Sequence, residues 1–402
     1  MDFHNTDDAV TRRVQAFTDR VSMLKAHDLY YYNQPVQEIL PGMKVRVNGR
    51  EMGMYASYSY LGLVGHPRIN EAAKKAVDKY GTGTHGVRML AGTLGLHTEL
   101  EETIAHFKHA ESAITYSSGY ATNLTVVSTL MGRGDFVLSD KLNHASIVDG
   151  CLMSGAEFRR FKHNDMAHLE TMLKNIPEGA SKLVIADSVF SMDGDIIDLP
   201  KMIELTKKYN AWLMIDEAHS VGVLGKTGTG IEEHFGLGDV IDIKMGTLSK
   251  TIPSVGGYVA AKKEIINYLR HASRAYIFSA ALPPAQAAAA NEAFKVILDE
   301  PWRIEQLNAN TKQFIGGLKS AGFDTLLTET AIVPVICGSD EVAFAMTREG
   351  QRQDVFILPV VSPAVPEGLA RLRATVTATH EPAEIDRAMN IIIEAGKKLG
   401  VI

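Results

Sequence analysis

The sequence predicts an α/β protein with a mostly parallel central sheet flanked by helices and a smaller C-terminal α+β unit. Three observations predict it. Short apolar runs recur over the first 290 or so residues with little alternation, which suits strands buried on both faces. Helix-length stretches lie between most of them, the repeat expected of parallel strands joined by right-handed crossovers. After about residue 295 the order of elements changes, and the remaining hundred or so residues are a normal size for a second unit.

The elements follow in order. Residues 9–27 place Val10, Val14, Phe17, Val21 and Leu24 three and four apart, the spacing of an amphipathic helix. Asn48-Gly49 separates two alternating runs in KVRVNGREMGMYA, a type I′ hairpin signal. Strands are read in SAITYSS (112–118), DFVLSD (135–140), KLVIADSV (182–189), AWLMIDEA (211–218), IDIKMGT (241–247) and GGYVAA (256–261). LPKMIELTKKYN fits a helix between two of them. Pro283-Pro284 precedes AQAAAANEAFKVIL, where proline suits the first turn of a long helix. The C-terminal part reads helix, strand AIVPVICG, helix EVAFAMTREG, strands VFILPVV and LARLRATVT, and helix PAEIDRAMNIIIEAGKKLG. The expected division is an N-terminal helix and hairpin arm over 1–50, a large α/β domain over 51–290 and a C-terminal α+β domain over 291–402.

Composition excludes several classes. Hydrophobic residues at 46% and charged residues at 22% describe an ordinary globular chain, not a disordered or collagen-like one. A net charge of −6 disfavours nucleic-acid binding, which needs clustered Lys and Arg. No long uncharged apolar run predicts a membrane span. The start, MDFHNTDDAVTRR, has no apolar core of a secretory signal, so a cytoplasmic protein is expected. The two cysteines, Cys151 and Cys337, with no Cys-x-x-Cys, read as free buried thiols in a reducing compartment, and no metal ligand set is read.

Some motifs mislead. Gly81-Thr82-Gly83-Thr84-His85-Gly86 matches a dinucleotide fingerprint, yet the helical EAAKKAVDKY precedes it where a strand is needed. It reads instead as a helix cap, with Gly81 free to take positive φ. Gly225-Lys226-Thr227 near Asp216 suggests a phosphate loop, but Ser220 stands where the first glycine belongs. Asn123-Leu124-Thr125 is a glycosylation acceptor by pattern only, without meaning in the cytosol.

Three features fall at the C-terminal ends of strands, where open α/β sheets bind ligands. They are Asp216 with His219, Lys250 closing KMGTLSK, and Ser118-Gly119-Tyr120 at a strand-to-helix junction. Singly each is bland: a turn residue, a solvated lysine, a helix cap. Together they fit pyridoxal 5′-phosphate (PLP). That cofactor needs a lysine to hold it as an imine, a carboxylate to keep its pyridine nitrogen protonated, and a helix N-terminus for its phosphate. His144, in LNHAS after strand DFVLSD, offers a flat ring to stack on it. Asp216 and Lys250 are 34 residues apart, room for a helix and a strand.

With these motifs the sequence resembles the α-oxoamine synthases, PLP enzymes of fold type I. The resemblance runs over nearly the whole chain. It includes Ser59-Tyr60-Leu61-Gly62-Leu63, the GTGTHGVRMLAGT loop, Glu99-Leu100-Glu101, Ser118-Gly119-Tyr120, Asn143-His144-Ala145-Ser146 and Phe190 to Asp195. It continues through Asp216 to Ser220, Gly246 to Lys250, Phe278 to Pro284, Arg371-Leu372-Arg373 and Ala378-Thr379-His380. The resemblance implies a fold type I PLP-dependent transferase that condenses a small amino acid (serine, alanine or glycine) with an acyl thioester of coenzyme A or a carrier protein. Carbon dioxide and thiol leave, and an α-aminoketone forms.

The same resemblance implies roles. Lys250 would be the Schiff-base lysine and the acid/base at the substrate Cα. Asp216 would pair with the pyridinium nitrogen, and His144 would stack on the ring. His219 and Ser191 would hydrogen-bond the phenolic oxygen. Ser118, the Gly119 and Tyr120 amides, and the Thr247 and Ser249 hydroxyls would hold the phosphate. Arg373 would clamp the substrate carboxylate. A homodimer with shared active sites is implied, with Ser279 acting in the neighbouring subunit.

Within the family, VVSPAVP at 360–366 is most similar to bacterial serine palmitoyltransferases, and Val361 stands where makers of the biotin precursor carry Arg. Tyr58 replaces an Asn found in several members, as in synthases associated with polyketide pathways, and Ala91 stands where palmitoyltransferases tend to have Asn. The alternatives are a 2-amino-3-ketobutyrate CoA ligase, an 8-amino-7-oxononanoate synthase, another fold type I enzyme such as an aminotransferase, or a non-catalytic partner subunit.

Overall fold

The computed structural model describes residues 8–402. The first part of the polar N-terminal stretch therefore lies outside the described residues. The large sheet has seven strands in the spatial order Ser112–Tyr116, Pro253–Ala261, Ile243–Ser249, Trp212–Asp216, Lys182–Asp187, Phe136–Asp140 and Glu157–Phe161. Pro253–Ala261 runs antiparallel to both neighbours, and the other four pairings are parallel. This is the fold type I architecture, a mixed but mostly parallel sheet between helices.

The strand Lys182–Asp187 shows why these runs lack alternation. All six residues are buried. Leu183 and Ile185 enter the apolar cluster on one face, Val184 and Ala186 the cluster on the other. Period-2 geometry persists, but both faces are covered. One strand of the large sheet was missed by the sequence reading. Glu157–Phe161 carries Arg159 and Arg160 and sits at the sheet edge, so only Phe161 is buried. A charged edge strand protects the sheet and erases the apolar signal.

The chain order of the parallel strands reverses around Phe136–Asp140, which pairs with the next strand on one side and with Lys182–Asp187 on the other. Such a switch point opens a crevice at the C-terminal strand ends. Asp140, Asp187, Asp216 and Ser249 end the strands there.

Asn48 and Gly49 take φ of 49° and 74°, and Val47 pairs with Arg50, the expected type I′ hairpin. Gly81 caps its helix at φ 76°. The second hairpin strand, Arg50–Met54, is joined to the C-terminal part: Val355–Phe356 pairs in parallel with Gly53 and Met54. A three-stranded sheet of Ile332–Gly338, Ala370–Thr375 and Pro359–Val360 carries Arg371 and Arg373 on its middle strand. The run VFILPVV is therefore two short strands in two sheets. The first helix spans Ala9–Ala26 as its spacing predicts, yet only Leu24 of its apolar face is buried. Val10 and Phe17 are 68% and 69% exposed. Cys151 and Cys337 are buried free thiols.

Candidate active site

At the strand ends lies a cavity of about 260 Å³ lined by Ser118, Gly119, Tyr120, His144, Ser191, Asp216, His219, Thr247, Ser249 and Lys250, among others. Ten sequence-selected residues thus meet in one crevice. Arg373 stands nearby on its own strand, and Ser279 lies in the bend after Arg274–Ile277, outside the lining of this cavity. A second cavity of about 590 Å³ shares Ser249 and Lys250 and runs between Met54, Leu63, Ile69, Ala289, Phe356 and Leu358.

The helix Gly119–Leu130 starts at the crevice. Ser118 caps it by accepting from the Ala121 amide at 3.1 Å. The first amides of a helix have no intrahelical partner, and the helix dipole adds partial positive charge there. Thr247 closes the same corner, with Oγ1 2.9 Å from Ser249 Oγ and 3.1 Å from the Gly256 carbonyl. A Cβ on Gly119 would stand 2.9 Å from Thr247 Oγ1. A side chain there would push Thr247 aside, so glycine keeps the corner tight around the free helix amides, which suits an anion.

Asp216 is 5% exposed and doubly held. Its Oδ1 accepts from the Ala218 amide at 2.9 Å and its Oδ2 from Asn123 Nδ2 at 2.7 Å. Asp187 pairs with Asp216 across adjacent strands, so the two carboxyl groups share one level of the sheet. Burial first, and Asp216 second, push the Asp187 carboxyl well above the usual range. It is a functional-site residue that sequence reading missed, although it closes a strand as Asp216 does. Asn123 and Ser146, also in the lining, were missed as well.

Lys250 follows the last residue of its strand. Burial, partly offset by Asp216 and Asp187, lowers its ammonium to about 8. A neutral amine near pH 8 is a competent nucleophile. His219 is buried and its Nδ1 lies 2.6 Å from the Tyr60 hydroxyl. Burial pushes Tyr60 up to about 12 against the pull of Arg373, so its hydroxyl keeps its proton. Burial, then Lys250 and Arg373, hold His219 well below its usual value. A neutral His219 accepting at Nδ1 carries its proton on Nε2.

Arg373 is 6% exposed. Its Nε donates to the Ser191 carbonyl at 2.6 Å and its Nη1 to Thr375 at 3.1 Å. Its Nη2 makes no hydrogen bond although it is buried. An orphaned guanidinium donor beside a cavity calls for an anionic ligand. The Tyr58 ring lies over it, 4.7 Å from the guanidinium carbon and 5.8 Å from Lys250 Nζ.

The residues fit PLP on their own chemistry: a lysine of lowered proton affinity, a held carboxylate, an imidazole in the cavity wall and a glycine-floored anion corner. The model for aminotransferase class I and II matches residues 54–392. The chain belongs to that family. Its relatives place it among the α-oxoamine synthases, PLP-dependent C-acyltransferases. It is 44% identical to 8-amino-7-oxononanoate synthase of Citrifermentans bemidjiense over 97% of this chain and 100% of that one. It is 41% identical to serine palmitoyltransferase of Sphingobacterium spiritivorum over 94% of each. Serine palmitoyltransferase from S. paucimobilis, solved with a bound PLP–myriocin aldimine, matches with TM-score 0.95 and 34% identity over 98% of this chain and 100% of that one.

Proposed function

We propose that this enzyme joins a small amino acid to an acyl thioester of coenzyme A or a carrier protein in the manner of serine palmitoyltransferase, releasing carbon dioxide, thiol and an α-aminoketone. The observation that carries the reading is the arrangement around Lys250. A buried, unpaired Arg373 donor stands near the PLP cavity, and a mixed but mainly apolar cavity of about 590 Å³ opens at the same lysine. One suits a carboxylate, the other an acyl chain.

PLP supplies the electron sink that stabilises negative charge at the amino-acid Cα. The protein residues do the rest. The Gly119 and Tyr120 amides, with Thr247 and Ser249 hydroxyls and the Ser118 cap, hold the phosphate. Asp216 keeps the pyridine nitrogen protonated, and His144 packs on the ring. His219, with its proton on Nε2, donates to the phenolic oxygen, and Ser191 assists. Lys250 takes the Cα proton and returns one after condensation. Arg373 holds the carboxylate until it leaves as carbon dioxide.

The proposed division of the chain is an arm over 1–50, the PLP domain over 51–290 and a C-terminal domain over 291–402. The enzyme works as a homodimer, with Ser279 serving the partner's site. Leu90 and Phe278 support this: they are 83% and 73% exposed and flank the isolated bridge between Val87 and Ala280. Two large apolar side chains left this exposed beside one bridge suit a face covered by a second copy. Among the described residues no helix is long and apolar enough to cross a membrane, and we place the enzyme in the cytoplasm.

The 44% identity to the Citrifermentans bemidjiense enzyme favours a second reading, 8-amino-7-oxononanoate synthase activity. A panel of serine, alanine and glycine against acyl thioesters of rising length separates the two. The first reading expects turnover to rise with long unbranched acyl chains. Turnover confined to a short chain ending in a carboxylate overturns it. Lys250→Ala abolishes turnover under either reading.

A further inference from the structure

Asn123 lies on the helix Gly119–Leu130 and is 1% exposed, which removes it from any reading as a surface acceptor. Its Nδ2 donates to Asp216 Oδ2 at 2.7 Å and to Ser146 Oγ at 3.0 Å. Both protons of the amide are thereby used. The flipped amide would set its oxygen 2.7 Å from a carboxylate oxygen, two acceptors in contact, so the orientation is fixed.

Ser146 Oγ accepts from Asn123, leaving one proton to give. His144 Nδ1 is 2.7 Å away. The Ser146 backbone amide also donates to that nitrogen, at 3.2 Å. Two donors converge on Nδ1, so Nδ1 is the unprotonated nitrogen of the ring.

We propose that Asn123 and Ser146 are positioning residues that lock the His144 imidazole in its Nε2–H tautomer and tie it to the Asp216 carboxylate. This rests on the proposed PLP site for its purpose, while its evidence is the donor count alone. The hydrogen bonds run one way, from Asn123 to Asp216 and from Asn123 through Ser146 to His144. A proton on Nδ1 would face two donors, so the charged ring is opposed. The consequence is an uncharged flat face for the pyridine ring, with the Asp216 carboxylate fixed in place by the same amide. The other groups facing His144 are Lys250, Asp149, His219, the Tyr120 ring at 6.4 Å, and Asp187, whose Oδ2 accepts from the His144 amide at 3.0 Å. Burial and Lys250 lower His144, against Asp216 and Asp149. The relay adds to this a specific barrier at Nδ1.

The test is ¹⁵N NMR of histidine-labelled, PLP-loaded enzyme, with His144 assigned by His144→Gln. The expected result is a protonated-type Nε2 and an unprotonated-type Nδ1 from pH 6 to 9. Ser146→Ala removes the hydroxyl donor and should raise the proton affinity of His144 about tenfold, one pH unit in its titration. Asn123→Ala should move it in the same direction, and Ser146→Thr should restore it. A wild-type ring protonated at Nδ1, or unchanged His144 signals in a folded Ser146→Ala, overturns the proposal. Turnover does not enter the readout, so failure of the synthase reading would show separately, as absent thiol release with the tautomer intact.

Discussion

The lysine at the centre of the site titrates far from its usual place, and the cause can be altered one residue at a time. Burial lowers Lys250 from 10.5 to about 8, with Asp216 and Asp187 opposing and Arg373 assisting. At pH 7 a group at about 8 holds about 300-fold more neutral amine than one at 10.5. In free energy this is about 3 kcal/mol of disfavoured charge. The sign for stability follows. In the cofactor-free protein the unfolded lysine binds a proton between pH 8 and 10.5 while the folded one does not. Folding therefore gains from this group as pH rises through that window, and the penalty is complete below about 8. The assay is competitive acetylation of PLP-free enzyme across pH 6 to 11, read by mass spectrometry on the Lys250 peptide. The expected midpoint is about 8. Asp216→Asn removes the largest charge holding the proton, so the midpoint falls. Arg373→Gln removes a repelling charge, so it rises. A wild-type midpoint at 10 or above, or a rise in Asp216→Asn, refutes the reasoning.

Other expectations follow from single contacts. Gly119→Ala places a methyl 2.9 Å from Thr247 Oγ1, and should weaken PLP binding by about tenfold or more in equilibrium dialysis while leaving the fold intact. Arg373→Lys loses the planar donor pair, so KM for the amino acid should rise about 10–100-fold with PLP still bound, as steady-state kinetics would show. Lys108 and Glu217 form a buried ion pair at 2.7 Å, so Lys108→Met alone should cost about 3–5 kcal/mol in denaturant unfolding, and adding Glu217→Leu should recover much of it. His163 bridges Asp140 at 3.0 Å and Asp195 at 2.9 Å. Burial lowers its affinity for a proton, but the two carboxylates overcome this and raise it to about 10. Its contribution is full below pH 6.5 and lost as pH rises through about 10, so the stability gap to His163→Asn should close over that range.

The strand ends were legible because parallel strands buried on both faces announce themselves as apolar runs. Asp216 and Lys250 stood out because each closes such a run. Asp187 closes one too, but its importance depends on register: it matters because it pairs with Asp216. Asn123 and Ser146 were hidden for a related reason. Ser146 meets His144 locally, two residues on, but Asn123 is 93 residues from Asp216 and 23 from Ser146, and only the packing of its helix brings it to both. The pairing of Val355–Phe356 with the hairpin is non-local in the same sense, whereas the edge strand Glu157–Phe161 was hidden by its own arginines. The first helix shows the opposite limit. Its spacing located it correctly, yet within one chain most of its apolar side faces outward.

The central claim is that Lys250, Asp216 and Arg373 serve a decarboxylative condensation on PLP. The most direct measurement is simultaneous release of carbon dioxide and free thiol when the PLP-loaded enzyme meets carboxyl-labelled serine, alanine or glycine and a long-chain acyl thioester. The account predicts equal amounts of both, dependent on both substrates and lost in Lys250→Ala. Formation of a 2-oxo acid with neither thiol nor carbon dioxide would contradict it.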